Sequence, residues 1–462
     1  MRNSPLKNPR QIPASHPLAG KKVWIPRMSD GSTQIFAAML RSLGLDAEAT
    51  PPSDERTRAL GARHTCGDEC YPARVTMGDC VKILEQPGTD PDKVAFFMAT
   101  GQGPCRFGQY VPLMKSTFAT LGYSGVTILA PTCETGYSDF GPASNLFARS
   151  AWRALVAGDL LLKCLLKTRP YETMPGDADA AHEASVADVC RCLEVPWPND
   201  GMQMRKLQAS LRRARRRFRM VPVRFDPERP LIGAVGEIYC RLNIYSNQEL
   251  VRLLERFGAE VWMSDISEWI WYTNADERRV LKLKGKRISG QMLRSTIRTH
   301  FQRKDEEELR ALFTADFRGY EEPEDIGEVL ELAEPYLPAD GALGEMTVNA
   351  GRSIYLAKKG VDGIVDISPF TCMNGIVGEA IYPLISKEHA EIPIRNFYCD
   401  ETQSDLERDI GIFLELARNY RRRKPWPRTL PHFPAEESGG ERASGTSAAP
   451  EIAECYPRTS SV

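Results

Sequence analysis

Short apolar runs alternate with helix-like stretches along two long parts of this chain, and that alternation constrains its fold more than any other feature. The runs of the first part are 22–26, 94–98 and 126–130, and those of the second are 231–236, 260–263, 361–367 and 394–398. A continuous apolar run is typical of a strand buried on both faces of a parallel sheet. Repeated β–α alternation favours a doubly wound architecture. We therefore predict an α/β fold with two flavodoxin-like or Rossmann-like parallel-sheet domains and helical insertions.

The chain has 462 residues, which is too long for a single hydrophobic core. Composition and periodicity indicate where the domains begin and end. The end of the chain is rich in Pro, Ser, Gly and Glu, a composition typical of disorder. We predict a disordered N-terminus at 1–20, a first α/β domain at 21–165, a helical linker at 166–229, a second α/β domain at 230–422 with a helical excursion at 266–340, and a disordered tail at 423–462.

The charge balance argues against two classes of partner. There are 60 Lys and Arg residues against 61 Asp and Glu residues, so no broad electrostatic footprint for nucleic acid is expected. The arginine run 212–217 lies in a helical context and is interpreted as a solvated helix face, with a nucleic-acid patch as the alternative. No run approaches the roughly 20 apolar residues of a membrane span. We expect neither nucleic acid nor a membrane as a partner.

Twelve cysteines are many for a chain without an apolar secretory segment at its start. Their irregular spacing in a large chain is unlike the disulfide framework of a small secreted domain. We therefore expect a cytoplasmic protein. In a reducing compartment such cysteines are metal-binding, catalytic or simply buried.

Four of these cysteines lie in Gly- and Pro-marked loops. Cys66 and Cys70 are four residues apart, whereas Cys105 and Cys372 each follow an apolar strand-like run, one in each predicted domain. Loops at the ends of buried strands are where α/β proteins hold their chemistry. Four thiolates converging from such loops suit an iron–sulfur cluster or a zinc ion, and a site built from both domains would tie them together.

Other interpretations of these cysteines stay open. Cys70 comes just before a predicted helix, where the helix dipole is expected to favour the thiolate. The residues alone leave three alternatives to an iron site, namely a zinc ion, buried free thiols and a redox dithiol. Weaker candidate ligands, each after a strand-like run, are Cys133 and Cys240, and Cys399 ends another such run.

Five segments together resemble one known family. They are Cys66-x3-Cys70-Tyr71-Pro72, Gly103-Pro104-Cys105-Arg106-Phe107-Gly108-Gln109-Tyr110, Gly236-Glu237-Ile238-Tyr239-x-Arg241-x-Asn243, Ser267-Glu268-Trp269-Ile270 and Pro369-Phe370-Thr371-Cys372-Met373. In this order they resemble the 2-hydroxyacyl-CoA dehydratase D-component superfamily, in the branch related to the acyl-CoA dehydratase activases (CoA activase). The resemblance extends over roughly residues 20–420.

The resemblance implies two flavodoxin-like domains with a 4Fe-4S cluster, or in some relatives a double-cubane cluster, held between them. The positions that match the family's ligands are Cys66, Cys70, Cys105 and Cys372. It also implies an actin-like ATPase partner that delivers low-potential electrons for reductive chemistry, in the true dehydratases on a CoA thioester. The ATPase domain fused to many activase relatives is absent here, so we expect that partner to act in trans.

The predicted function is therefore an oxygen-sensitive iron–sulfur protein of anaerobic metabolism. It would act as a dehydratase-like lyase or as the electron-transfer component of an ATP-coupled reductase, in a homo- or hetero-oligomer. Four thiolates on one cubane leave no vacant iron for substrate, which favours either only three true ligands or an electron-transfer role. The alternative is a non-enzymatic, metal-stabilised accessory or scaffold subunit.

Overall fold

The computed structural model describes residues 11–13, 15–101, 103, 105–132, 137–338, 344–400, 405–431 and 433. Within them the protein forms two lobes, each built on a four-stranded sheet whose strands all run parallel. This confirms the predicted α/β class with two parallel-sheet domains and helical insertions.

The first sheet has its strands in the order β2-β1-β3-β4. The strands are β1 (Lys22–Ile25), β2 (Asp46–Ala49), β3 (Val94–Phe97) and β4 (Thr127–Leu129). At its centre Val23 lies opposite Ala47 on one side and Ala95 on the other, and all three are buried. Apolar side chains at this level let helices cover both faces of the sheet.

Five helices belong to the first lobe: α1 (Asp30–Ser42), α2 (Glu55–Arg63), α3 (Tyr71–Leu84), α4 (Tyr110–Thr120) and α5 (Ser144–Thr168). Helix α2 begins at a capping box in which the Asp54 side chain accepts from the Thr57 backbone N–H. Helices α2 and α3 meet at backbone distance, since a Cβ on Gly78 would lie 1.9 Å from the Thr57 carbonyl oxygen. A side chain at Gly78 would therefore force the two helices apart.

Two helices fill the segment predicted as a helical linker, α6 (Asp177–Leu193) and α7 (Asp200–Met220). Helix α6 packs against α1 and α5, and the buried residues of both helices join a hydrophobic core that the two lobes share. Two pairs of arginines on α7 have different surroundings. Arg213 and Arg217 pair with Asp188 of α6, whereas Arg212 and Arg216 are exposed.

The second sheet repeats the strand order of the first, as β6-β5-β7-β8. Its strands are β5 (Leu231–Gly236), β6 (Glu260–Met263), β7 (Gly363–Pro369) and β8 (Ile394–Cys399). Both β5 and β7 are buried along their whole length. In each sheet the chain reverses its direction of winding between the first and third strands, and the crevice at that switch point is where ligands of open α/β sheets bind.

The second lobe is predominantly helical outside its sheet. Its helices are α8 (Ile238–Leu242), α9 (Leu250–Arg256), α10 (Ile266–Leu283), α11 (Gly290–Arg310), α12 (Ile326–Ala333), α13 (Glu345–Lys358), α14 (Met373–Glu388) and α15 (Leu406–Arg421). Helices α10, α11 and α12 form the predicted excursion. In the described part of the chain, no helix combines the length and apolar character needed to cross a membrane.

Buried polar contacts join the two lobes along α5. The Asp159 carboxylate accepts hydrogen bonds from the backbone N–H groups of Ile266 (3.1 Å) and Ser267 (2.9 Å), so a side chain of the first lobe caps α10 of the second. Further along α5, the Nε atoms of Arg149 and Arg153 each lie 2.8 Å from the Asp305 carboxylate on α11. These contacts hold the lobes against each other.

The described residues within the two segments predicted as disordered contact the rest of the protein. The Ile12 backbone N–H donates to the Leu43 carbonyl, and Leu18 is buried in the first-lobe core. After α15, the Lys424 ammonium lies 2.7 Å from the buried Asp362 carboxylate and Phe433 is buried. These few apolar and charged residues are enough to order each segment locally. Residues 1–10, 14, 432 and 434–462 lie outside the described residues.

Candidate metal centre

Three of the four predicted ligands occupy the same kind of position, the residue just before a helix. Cys70 precedes α3, Cys105 precedes a short 3₁₀ helix at Arg106–Gln109, and Cys372 precedes α14. Their backbones are alike and extended, with φ and ψ of −70° and 154°, −68° and 132°, and −66° and 124°. Cys105 follows β3 and Cys372 follows β7, so the third strand of each sheet leads to one of them.

Arg106 connects all three cysteine loops. Its Nη1 donates to the Asp68 carbonyl at 2.5 Å, in the loop between Cys66 and Cys70, and its Nη2 donates to the Thr371 carbonyl next to Cys372. Thr371 has φ of 65°, a left-handed conformation that is uncommon for a residue with a Cβ. One guanidinium beside Cys105 thus bridges loops of both lobes.

Burial favours the neutral form of the thiols of these three cysteines. Burial raises the pKa of the Cys70 and Cys105 thiols, and raises the pKa of Cys372 to about 12. Hydrogen bonds from backbone N–H groups at the helix starts oppose this rise without cancelling it. The expectation that the helix start would favour a Cys70 thiolate is therefore wrong, because desolvation and the nearby Glu237 charge outweigh the helix.

Two carboxyl groups sit among these thiols. Glu237 follows β5, and its side chain accepts from the backbone N–H groups of Tyr239 (3.0 Å) and Cys240 (2.8 Å). Glu345 begins α13 and accepts from the Ile238 N–H at 3.0 Å. Burial raises the pKa of Glu237, and raises the pKa of Glu345 to about 8.

The Glu237 charge acts on all three thiols and raises the pKa of each. The Glu237 carboxyl group is therefore within electrostatic reach of all three thiols. A bound cation would lower the pKa of every one of these acids at once. Thiol groups are the donors that iron–sulfur clusters and zinc ions take in proteins.

Cys66, the fourth predicted ligand, forms hydrogen bonds within its own loop. It is exposed, and its thiol donates to a Glu69 carboxylate oxygen at 3.3 Å. The other Glu69 oxygen accepts from the backbone N–H groups of Cys66 and Gly67, both at 3.0 Å. Glu69 therefore closes the loop on itself and holds the Cys66 sulfur.

Cys70 also has a partner of its own, the Tyr110 hydroxyl, which lies 2.7 Å from its sulfur. Among the described residues, no three His, Cys, Asp or Glu side chains form a group that could hold a metal ion. The structure thus brings the loops of Cys70, Cys105 and Cys372 together, while their sulfurs satisfy local partners. Ligation by the four cysteines stays a prediction.

The weaker candidates have different surroundings. Cys240 is buried on α8, where its thiol interacts with Cys399 and Glu237, and burial raises its pKa well above the usual value. Cys399 is buried at the end of β8. Cys133 lies outside the described residues.

Sequence reasoning missed the buried polar residues behind the site. Asp366, within β7, accepts hydrogen bonds from the hydroxyls of Ser368 and Tyr382, both at 2.5 Å, and burial raises its pKa. Arg241 is buried and donates to the Gly236 carbonyl at 3.2 Å. A charged residue inside an otherwise apolar strand, as at Asp366, was the signal that could have found this layer.

No family model matches the sequence, and no curated protein matches it.

Proposed function

We propose that this protein is an iron–sulfur protein that binds a 4Fe-4S cluster between its two lobes and transfers electrons for low-potential reductive chemistry. The ligands would be Cys66, Cys70, Cys105 and Cys372. The observation that carries the proposal is the Arg106 bridge, which joins the loops that bear Cys70, Cys105 and Cys372 from both lobes. Such a cluster supplies reversible one-electron transfer at a potential set by charge, hydrogen bonds and exposure.

Residues around the cysteine loops would support that role. Backbone N–H groups at the starts of α3 and α14 point toward the Cys70 and Cys372 sulfurs and would stabilise their thiolates. Arg106 holds the three loops together and places a positive charge at their edge. Cys66 would exchange its hydrogen bond with Glu69 for the metal. Glu345, with its raised pKa, would keep a proton beside the site near neutral pH.

The partner and substrate classes follow from the sequence resemblance. We propose an actin-like ATPase in trans as the electron donor, and a CoA thioester as the substrate of the reductive step. A cytoplasmic location accords with the thiols, because every described cysteine is free. Contacts of α5, away from the cysteine loops, join the two lobes. The cysteine loops are therefore available for electron transfer.

Anaerobic purification of the full chain tests the proposal. We expect brown protein with iron and acid-labile sulfide, broad visible absorption that bleaches with dithionite, and an EPR signal of the reduced cluster. Protein that is colourless and free of iron after anaerobic purification and cluster reconstitution would contradict it.

A second candidate function is a metal-stabilised accessory subunit. The ion pairs between α5 and α11 join the two lobes, as a scaffold requires. This function predicts colourless protein with one zinc ion for each chain and no response to dithionite. Metal analysis of the same preparation therefore separates the two functions.

A further inference from the structure

The connection between α10 and α11 concentrates positive charge at one end of the molecule. Residues 282–294, which we call the basic tip, contain five Lys or Arg residues and no Asp or Glu. All five are exposed, and none of them forms an ion pair with a described carboxylate: Lys282, Lys284, Lys286, Arg287 and Arg294. Because the whole chain is close to neutral, this charge is a local feature that the totals conceal.

Large apolar side chains are exposed among these charges. Leu283 is 66% exposed, Ile288 is 102% exposed and Leu293 is 62% exposed. Ile297, one turn further along α11, is exposed on the same helix face as Leu293. Exposed aliphatic groups in a cluster mark an interaction surface more often than isolated ones do.

The basic tip projects beyond the packed part of the protein. The stem of the hairpin is held by the Ser295 hydroxyl, which donates to Glu277 at 2.9 Å, and by Arg278, which donates to Thr299 at 2.6 Å. Beyond that stem, the hydrogen bonds of the described tip residues stay within the hairpin, such as the Met292 N–H to the Ser289 hydroxyl at 3.1 Å. The tip is therefore free to meet a partner without disturbing the fold.

We propose that the basic tip docks on an anionic lipid surface. Such a surface offers negative headgroups above an apolar layer, which complements basic side chains interleaved with Leu and Ile. A second copy presenting the same face would repel it by like charge. Nucleic acid would match the charges and leave the aliphatic groups without apolar contact. This proposal departs from the expectation of no membrane partner, which rested on membrane-spanning segments and total charge, and it does not depend on the metal centre.

Vesicle sedimentation with the full chain tests the proposal. The probes are phosphatidylcholine vesicles with and without phosphatidylserine, and a DNA duplex as the competing ligand. The variant is K284E/K286E, and R212E/R216E on α7 is the control, since it makes the same charge change at another exposed basic surface. I288D tests the apolar part separately. Circular dichroism checks that all variants are folded.

We expect the protein to bind vesicles that contain phosphatidylserine. It should not bind vesicles of pure phosphatidylcholine. Each Lys or Arg near an anionic surface contributes a factor of roughly 5 in binding, so K284E/K286E should weaken it by at least about 25-fold. I288D should weaken it too, R212E/R216E should leave it unchanged, and added salt should reduce it. The proposal is overturned if the wild-type protein binds no vesicles, if both charge variants bind equally, or if only the DNA duplex is bound through the tip.

Discussion

Replacing Arg106 by Ala should loosen the cysteine loops of both lobes together. Arg106 donates to two carbonyl groups, those of Asp68 and Thr371. A hydrogen bond with a charged donor contributes about 1.5–3 kcal/mol when it is protected from water. Because Arg106 is only partly buried, water compensates for much of this, and we expect a combined loss of about 1–3 kcal/mol.

Hydrogen exchange followed by mass spectrometry measures this loss locally. If the loops open by local fluctuation, R106A should speed exchange of peptides that contain 66–70 and 368–374 by about 5- to 150-fold. R215A is the matched control, since Arg215 donates to the Leu312 carbonyl at the same distance of 2.5 Å, away from the cysteines. It should leave both loops unchanged. Equal exchange of the two loops in R106A and the wild-type protein would refute the bridging role of Arg106.

Two further predictions concern the contacts between the lobes. D305A leaves the buried Arg153 guanidinium without its carboxylate and should cost about 3–5 kcal/mol in urea unfolding. The control E415A removes an exposed ion pair and should change stability by less than about 0.5 kcal/mol, and equal effects would contradict the buried-pair interpretation. Burial raises the pKa of Asp159 from 3.8 to about 8. Between these two pH values the folded state keeps a proton on Asp159 that the unfolded chain releases. Stability therefore falls as pH rises through this interval. D159N should flatten that part of the curve of urea midpoint against pH, and an unchanged slope would contradict the raised pKa.

Much of the fold could be predicted because its signals are local. The runs that became β3 and β5 are continuously apolar, a pattern typical of burial on both faces, and the run that became β7 is apolar around Asp366. Helix α2 was missed because its residues are polar and only the Asp54 capping box marks its start. The ends of the chain were predicted as disordered because the anchoring residues there, such as Leu18 and Phe433, are few and isolated in sequence.

Some features of the candidate site also follow from local sequence, whereas others depend on residues far away in the chain. The helix starts after Cys70 and Cys372 follow from local pattern, since Pro72 suits a first helical turn and a strand precedes Cys372. The pKa of the Cys70 thiol depends on burial and on Glu237, which is far away in sequence, so its direction was predicted wrongly. The bridge from Arg106 to Thr371 depends on how the lobes dock, and no local pattern specifies that.

Iron content of cysteine variants, purified without oxygen, is the most direct test of the central proposal. C70S, C105S and C372S remove one thiol each from the proposed cluster site. C190S is the control, because it removes a partly buried thiol on α6. We predict that the wild-type protein and C190S carry iron and sulfide, and that each of the other three loses most of both. Wild-type levels of iron in all three variants would contradict a cluster held by these cysteines.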